Sequence, residues 1–151
     1  GVKKMFGKKY TKTDIKKYMS AHESEIHNLY KDKKKMNVFL NKVTNKFNKI
    51  KVMKETTVLV LEVKTIINIL KDWISGNYTS INKKTIFILI GALVYFLSPF
   101  DFVFDGVPFM GYFDDMVVIS YVFKQLFHEI EKYKNWKSES DYESSVLKIN
   151  T

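Results

Sequence analysis

The stretch that decides the fold is Lys83-Lys84-Thr85-Ile86-Phe87-Ile88-Leu89-Ile90-Gly91-Ala92-Leu93-Val94-Tyr95-Phe96-Leu97. Its last twelve residues are apolar without interruption. A helix of that length spans about 18 Å, whereas the hydrocarbon core of a bilayer is about 30 Å thick. Pro99 follows almost at once and would break a longer helix. The stretch therefore predicts the central helix of a buried core, with an interfacial or re-entrant membrane element as the alternative.

The residues after Leu97 predict a short acidic elbow. Ser98 is placed to cap a new short helix, in which Pro99 takes the first position and Asp101 the third. A turn is expected at Asp105-Gly106-Val107-Pro108, because Gly and Pro favour turn conformations. We interpret the elbow as an ordered, capped connection between two helices.

A second apolar helix is predicted after the elbow, from about Tyr112 to Lys134. Asp114 and Asp115 would lie in its first turn, where the helix dipole favours acidic side chains. Residues 83–134 therefore form a predicted apolar helical hairpin. We expect an all-α, single-domain bundle of five or six helices with this hairpin as its spine.

The elbow also carries a motif with the spacing S-P-x-D-x-x-x-D-x-x-P-x-x-G-x-x-D-D. Its residues are Ser98, Pro99, Asp101, Asp105, Pro108, Gly111, Asp114 and Asp115. This spacing resembles the signature of the YkvA-like family, also called the DUF1232 domain, over about residues 70–136. One position departs from the family pattern, since Phe104 stands where the family usually has Pro. The resemblance implies a small helical domain of unknown function that is often described as membrane-associated, and it supplies no catalytic residues.

Four carboxylates within fifteen residues also suggest a metal site. Asp101, Asp105, Asp114 and Asp115 could together offer the oxygen ligands that Mg²⁺, Mn²⁺ or Ca²⁺ prefer. Each of these side chains also has a local structural duty as a cap, a turn residue or a residue of the first helical turn. We favour the structural interpretation, so no cofactor is expected and a divalent cation is the alternative.

Three amphipathic helices are predicted upstream of the hairpin. Apolar residues recur at helical spacing over residues 13–32, 36–50 and 55–75. Thr13 is the expected N-cap of the first, and Lys33-Lys34-Lys35 marks a break or an exposed turn before the second.

The third upstream helix carries a competing strand signal. Residues 56–61 are rich in β-branched side chains, but the helical spacing continues to Ile74 and no partner strand is evident. We expect a helix that ends with Gly76 in the position after the C-cap, followed by a linker over residues 77–82.

The charges divide the chain into a basic part and a mildly acidic one. The chain has 25 cationic side chains, all of them Lys, and 16 acidic ones. Residues 1–71 carry 18 Lys and 6 acids, whereas residues 72–151 carry 7 Lys and 10 acids. Lys acts as a point charge, so this pattern argues for diffuse attraction to an anionic surface and against sequence-specific nucleic-acid recognition. The favoured interpretation is composition bias and solubility, with an acidic protein or an anionic membrane as the alternative partner.

Composition also excludes several classes of protein. Without Cys the chain has no disulfides, no Cys-ligated zinc and no thiol catalysis. Its histidines (His22, His27 and His128) are dispersed, and no nucleotide-binding or hydrolase motif is present. No signal peptide is visible. We therefore expect no catalytic residues and no enzyme activity. The expected location is the cytoplasm, with the inner face of the cell membrane as the alternative.

These observations predict one domain over residues 1–151. Its parts are basic amphipathic helices over 1–71, the YkvA-like hairpin region over 72–137 and a polar, solvated tail over 138–151. The favoured function is a non-enzymatic module that binds a protein partner, such as an immunity protein that neutralises a toxin. The alternatives are a peripheral membrane protein and a divalent-metal enzyme that uses the Asp cluster. The expected partner or membrane contacts are Phe100, Phe102, Phe104, Phe109, Lys33, Lys34 and Lys35.

Overall fold

A computed structural model of the chain describes residues 12–53, 57–97 and 122–149, and that part is all-α, as predicted. The helices are α1 (Lys12–Ala21), α2 (Glu23–Lys31), α3 (Lys33–Met53), α4 (Thr57–Ile74), α5 (Lys83–Leu97) and α6 (Phe127–Ile149). A further helical turn covers residues 122–125 just before α6.

The apolar helix α5 is the centre of the bundle. Every residue from 89 to 96 is buried, so the helix is covered on all sides. Helices α2, α3 and α4 all pack against it. A buried Leu or Ile side chain contributes about 1.5–3 kcal/mol. The prediction that this stretch is a core helix is thus confirmed, and the apolar surface of residues 89–96 is covered by protein.

Helices α1 and α2 run antiparallel to α5. Tyr18 in α1 meets Tyr95 near the end of α5 with ring centroids 5.6 Å apart, and Tyr30 in α2 meets Phe87 near its start at 5.0 Å. Helix α3 runs in the same direction as α5, because Lys46 contacts Phe96 near the end of α5. The beginning of α3 therefore lies at the same end of the bundle as the beginning of α5.

Gly91 allows the first two helices to approach α5 closely. A Cβ atom at this position would overlap the sulfur of Met19 and would lie 3.4 Å from Ile26 Cδ1. Glycine is therefore the residue that fits between these side chains, although its helical spacing alone does not reveal this role.

The first predicted helix, over residues 13–32, is wrong as a single element. The chain leaves helical geometry at His22 (φ −109°, ψ 15°), so α1 and α2 are separate. The expected N-cap Thr13 lies one residue inside α1. The break expected at residues 33–35 lies at Asp32 instead, because these three lysines form the exposed first turn of α3. Asp32 Oδ1 accepts hydrogen bonds from the backbone N–H groups of Lys34 (3.0 Å) and Lys35 (3.2 Å), which is an N-cap.

The helix predicted over residues 55–75 is confirmed as α4, and the described residues contain no strand. Gly76 adopts a φ of 81°, and its N–H donates to the Trp73 carbonyl at 3.1 Å, as expected for the residue after a C-cap. The linker over 77–82 is non-helical, as predicted. It ends at Asn82, whose Oδ1 accepts a 2.8 Å bond from the Thr85 N–H and caps α5.

The prediction that the last helix ends near Lys134 is wrong, because α6 continues to Ile149. The physical reason is that no Gly or Pro follows Gly111, so nothing in the sequence breaks the helix. The residues from 138 to 148 are exposed or half-exposed, as expected of a polar tail, but they are helical. Four buried residues (Val122, Leu126, Ile130 and Tyr133) join this part of the chain to the core.

Candidate functional site

Most of the predicted site lies outside the described residues. This applies to the elbow motif and to the four carboxylates of the predicted metal site: Ser98, Pro99, Asp101, Asp105, Pro108, Gly111, Asp114 and Asp115. It applies equally to the predicted aromatic contacts, Phe100, Phe102, Phe104 and Phe109. Of the predicted contacts, the structure describes Lys33, Lys34 and Lys35, and all three are exposed.

The last described turn before the elbow is bound by a lysine. Lys46 Nζ donates a hydrogen bond to the Phe96 carbonyl and lies 4.9 Å from the centroid of the Phe96 ring. Carbonyls in the last turn of a helix lack partners within the helix, and a cation there also interacts favourably with the dipole. Lys46 thus stabilises the C-terminal end of α5, and its charge is partly withdrawn from the surface.

Helix α3 carries lysines without any acid. It has seven Lys and no Asp or Glu in 21 residues. Lys35, Lys42 and Lys49 repeat every seven residues, so they lie along one line of the helix, and all three are exposed. We call these three residues the lysine line. It extends about 21 Å at 1.5 Å per residue, and its neighbours on the exposed face are Val38, Asn41, Asn45 and Asn48.

A second group of lysines gathers where four helix ends meet. The Tyr30 and Trp73 rings stack at 5.2 Å, which brings the end of α2 beside the end of α4. Tyr30 also contacts Phe87, which brings in the start of α5, and α3 begins two residues after α2 ends. We call this the basic end; its exposed lysines are Lys31, Lys33, Lys34, Lys35, Lys71, Lys83 and Lys84.

The two acidic residues at the basic end are already engaged. Asp32 caps α3, and Asp72 binds two side chains of α6. Both carboxylates are only partly exposed. The seven lysines therefore face solvent with little local compensation, and the basic end attracts anionic groups.

Half-buried aromatic rings lie at the centre of the basic end. They belong to Tyr30, Trp73 and Phe87. Lys83 Nζ lies 5.3 Å from the ring centroids of both Tyr30 and Phe87, within the range of a cation–π interaction. Trp73 thus packs partly against the core while leaving part of its ring at the surface.

Helix α6 is attached beside the basic end. The Tyr133 hydroxyl donates to Asp72 Oδ2 at 2.6 Å, and Lys137 Nζ lies 3.4 Å from the same oxygen. The rings of Tyr133 and Trp136 pack on Tyr78 at 5.2 and 4.8 Å. Burial and the hydrogen bond to Asp72 raise the pKa of Tyr133 well above its ordinary value of 10.0. The phenol therefore stays protonated and serves as a donor.

The histidines do not form a common site. His22 Nδ1 lies 3.4 Å from Glu25, the His27 ring packs on Phe87 and the His128 ring on Phe127. Within residues 12–53, 57–97 and 122–149, no three His, Asp or Glu side chains lie close enough together to hold a metal ion.

Most of α5 and the elbow motif resemble a known family. Residues 85–121 match the family described as "Protein of unknown function (DUF1232)". We call residues 85–121, which resemble this family, the DUF1232 segment. It is also 27% identical, over 78 residues, to "Uncharacterized membrane protein YkvA" of Bacillus subtilis (strain 168); the match covers 52% of this chain and 74% of that relative. These matches confirm the resemblance to the YkvA-like family. No solved structure matches the chain.

The DUF1232 segment begins at the third residue of α5, so its described part is the buried central helix. The lysine line and most of the basic end lie outside the segment. Among the described helices, none has both the length and the apolar composition needed to cross a membrane.

Part of the lysine line and of the basic end could be predicted from the sequence. The sequence predicted that Lys33, Lys34 and Lys35 are exposed. The seven-residue period of the lysine line can also be seen in the sequence spacing alone. Sequence reasoning missed the capping roles of Asp32 and Asn82, although an Asp or Asn just before a helix is a recognised signal. The meeting of Tyr30, Trp73 and Phe87 had no local signal, because each residue belongs to a different helix.

Proposed function

We propose that this protein is a peripheral membrane protein that binds anionic lipid surfaces through the lysine line of α3. The observation that carries the proposal is a 21-residue helix with seven Lys, no acid and exposed lysines at intervals of seven. A straight row of like charges about 21 Å long matches a flat, continuous anionic surface better than a compact ligand.

One comparison favours a membrane as the partner, and one observation favours peripheral binding over insertion of α5. A relative of the DUF1232 segment is named a membrane protein. The apolar helix α5 is enclosed by protein, so it offers no lipid-facing surface of its own over residues 89–96. Attraction between surface lysines and anionic lipid provides membrane association without a lipid-facing α5.

The test is flotation of the purified chain with vesicles of neutral lipid and of lipid with anionic headgroups, at low and high salt. We expect binding to anionic vesicles at low salt and its loss at high salt, because salt screens charges at the surface. Each lysine near an anionic surface contributes about 1 kcal/mol. The triple variant Lys35→Gln/Lys42→Gln/Lys49→Gln should therefore bind roughly 100-fold more weakly.

A matched control variant distinguishes the contribution of the lysine line to vesicle binding from that of net charge. Lys124→Gln/Lys132→Gln/Lys148→Gln removes the same three charges from exposed positions of the region that contains α6. This control should bind vesicles like the unaltered chain. Equal loss in both variants would leave only net charge as the cause, and no binding by the unaltered chain would overturn the proposal.

The aromatic elbow is the second contact in this proposal. Phe100, Phe102, Phe104 and Phe109 are predicted to enter the interfacial layer while lysines contact the headgroups. Insertion of apolar side chains is insensitive to salt, so flotation that survives high salt and is lost in Phe102→Ser/Phe104→Ser would support it. Binding that salt abolishes completely would limit the contact to the lysines.

The favoured expectation from sequence, a protein-binding module such as an immunity protein, stays a prediction. The described surface contains charge that an acidic protein could bind, but no feature that selects a toxin. Capture of one stoichiometric protein from native lysate, by a chain that does not bind vesicles, would favour that function over the membrane proposal.

A further inference from the structure

The end of α6 is an acidic, exposed helix. Over residues 138–149 it carries Glu139, Asp141 and Glu143 against one lysine. None of the residues from 138 to 148 is buried, and two apolar side chains are largely exposed, Tyr142 (71%) and Leu147 (65%). We call residues 138–149 the acidic end. The acidic end therefore presents both carboxylates and apolar side chains to solvent.

The acidic end cannot reach the basic end of its own chain by folding back. Helix α6 is continuous from Phe127 to Ile149. Its anchors, Tyr133 and Lys137, hold it against Asp72 in the last turn of α4, which is itself at the basic end. The helix therefore leaves the bundle at this place and carries its acidic residues away from it.

The basic end has the properties that the acidic end requires of a partner. Its seven exposed lysines surround the half-buried rings of Tyr30, Trp73 and Phe87. The acidic end has carboxylates next to an exposed Tyr and Leu. An apolar centre with a charged rim is the usual composition of a protein interface.

We propose that two copies of this chain associate through a reciprocal contact, in which the acidic end of each α6 binds the basic end of the other copy. Both elements lie at the same end of the molecule. Two copies placed end to end, related by a twofold axis, can therefore form both contacts at once and leave no open site, so assembly stops at the dimer. This contact uses residues other than Lys42 and Lys49 and goes beyond the membrane proposal.

Sedimentation velocity of the full-length chain in the absence of lipid tests the dimer. We expect a dimer at low salt and a shift toward monomer at high salt, because the contact depends on charge. A chain that stays monomeric at low salt up to about 200 µM would overturn the proposal, since that range covers weak specific dimers. Assemblies that grow beyond the dimer with concentration would also overturn it.

Charge reversal on each side then tests the reciprocal contact. The tail variant is Glu139→Lys/Asp141→Lys/Glu143→Lys, and the basic-end variant is Lys33→Glu/Lys34→Glu/Lys35→Glu/Lys83→Glu/Lys84→Glu, which leaves Lys31 and Lys71 against five Glu. The five reversed lysines lie in the first turns of α3 and α5, where the helix dipole favours acids, so the second variant should keep its fold. Each variant alone should be monomeric, because its two ends now carry the same sign.

An equal mixture of the two variants distinguishes a broken contact from a misfolded protein. In the mixture each lysine-bearing tail meets an acidic end and each acidic tail meets a basic end, so both contacts are restored. We expect a heterodimer of about the affinity of the unaltered chain. A mixture that stays monomeric, or a single variant that still dimerises, would overturn the reciprocal arrangement.

Discussion

The Tyr133 hydroxyl donates a 2.6 Å hydrogen bond to Asp72 Oδ2, across 61 residues of sequence. The bond joins α6 to the last turn of α4, and Lys137 shares the same carboxylate at 3.4 Å. Both partners are largely shielded from water, so the bond has little competition from solvent. It fixes the place at which the last helix meets the bundle.

Removing this hydroxyl should destabilise the protein. Tyr133→Phe keeps the ring but leaves a shielded carboxylate without its closest donor, and hydrogen bonds to charged groups contribute about 1.5–3 kcal/mol. We expect a loss of about 2 kcal/mol in the free energy of unfolding, measured by urea denaturation. Tyr142→Phe removes a hydroxyl from an exposed position of the same helix and should change nothing measurable.

The same residue predicts a decline of stability at alkaline pH. The pKa of Tyr133 is raised in the folded state, first by burial and then by its hydrogen bond to Asp72. The folded state therefore holds the phenol proton more tightly than the unfolded chain does. This contribution is complete below about pH 10 and is lost as the pH rises from there toward the folded-state pKa.

Tyr133→Phe should accordingly flatten the fall in unfolding free energy above pH 10. Some slope should remain, because burial and then the nearby Glu129 also raise the pKa of Tyr78. An alkaline profile identical to that of the unaltered chain would show that Tyr133 titrates normally.

The buried hydroxyl of Tyr78 differs from that of Tyr133 in its hydrogen bonding. The Tyr78 ring packs against Tyr133 and Trp136, but its buried hydroxyl has no hydrogen-bond partner in the described part of the chain. A buried hydroxyl without a partner costs about 1–3 kcal/mol. We expect Tyr78→Phe to be as stable as the unaltered chain or up to about 1 kcal/mol more stable by urea denaturation, whereas Tyr78→Ala should lose about 3 kcal/mol or more.

The cap at Asp32 should be important because three lysines follow it. Asp32 accepts bonds from two backbone N–H groups, and its charge offsets lysines placed at the unfavourable end of the α3 dipole. Asp32→Ala should cost about 1 kcal/mol in thermal or urea unfolding. Asp32→Asn keeps an oxygen acceptor and should cost less, which separates the hydrogen bonds from the charge. Equal losses in the two variants would assign the whole effect to charge.

Replacing Gly91 by a residue with a larger side chain should destabilise the protein. Gly91→Val places methyl groups where Met19 and Ile26 already lie, and overpacking of a core typically costs about 1–3 kcal/mol. Shortening the neighbour should relieve the strain, so Gly91→Val/Met19→Ala should be less destabilised than the sum of the single variants. A double variant whose loss in unfolding free energy equals that sum would show that Met19 is not the obstacle.

The four elbow carboxylates stay a predicted divalent-cation site. Binding of a cation to the folded state alone raises the melting temperature. The measurement is therefore the melting temperature with and without Mg²⁺, Mn²⁺ or Ca²⁺, for the unaltered chain and for Asp105→Asn. A rise that Asp105→Asn abolishes would support a site, whereas equal melting in every condition would favour purely structural roles for these residues.

The helical fold was largely predictable because its signals are local. The uninterrupted apolar run of α5, the spacing of α3 and α4 and the position of Gly76 each depend on residues within a few turns of one another. The break between α1 and α2 at His22 was not predictable in this way, because the apolar spacing continues across it. The misplaced break at Lys33 came from treating like charges as a turn signal, whereas Asp32 supplies the cap.

The lysine line could be predicted from the sequence, whereas the basic end could not. The lysine line follows from one helix and its period, so spacing alone contains it. The basic end combines the end of α2, the start of α3, the end of α4 and the start of α5, and no short window of sequence includes them all. Tyr78 shows the same limit, since this position of the predicted linker is one of the most buried aromatic positions among the described residues.

By itself, the sequence carried the resemblance to the YkvA-like family over about residues 70–136. It also determined that this protein is helical, that α5 is its apolar centre and that its positive charge is concentrated in the first half. These properties depend on composition and on free-energy preferences within a few residues. The tertiary structure alone decided that α5 is enclosed by protein, that Tyr133 finds Asp72 and that seven lysines gather around Tyr30, Trp73 and Phe87. Such contacts join residues far apart in the chain, and their stability comes from packing that exists only once the helices have come together.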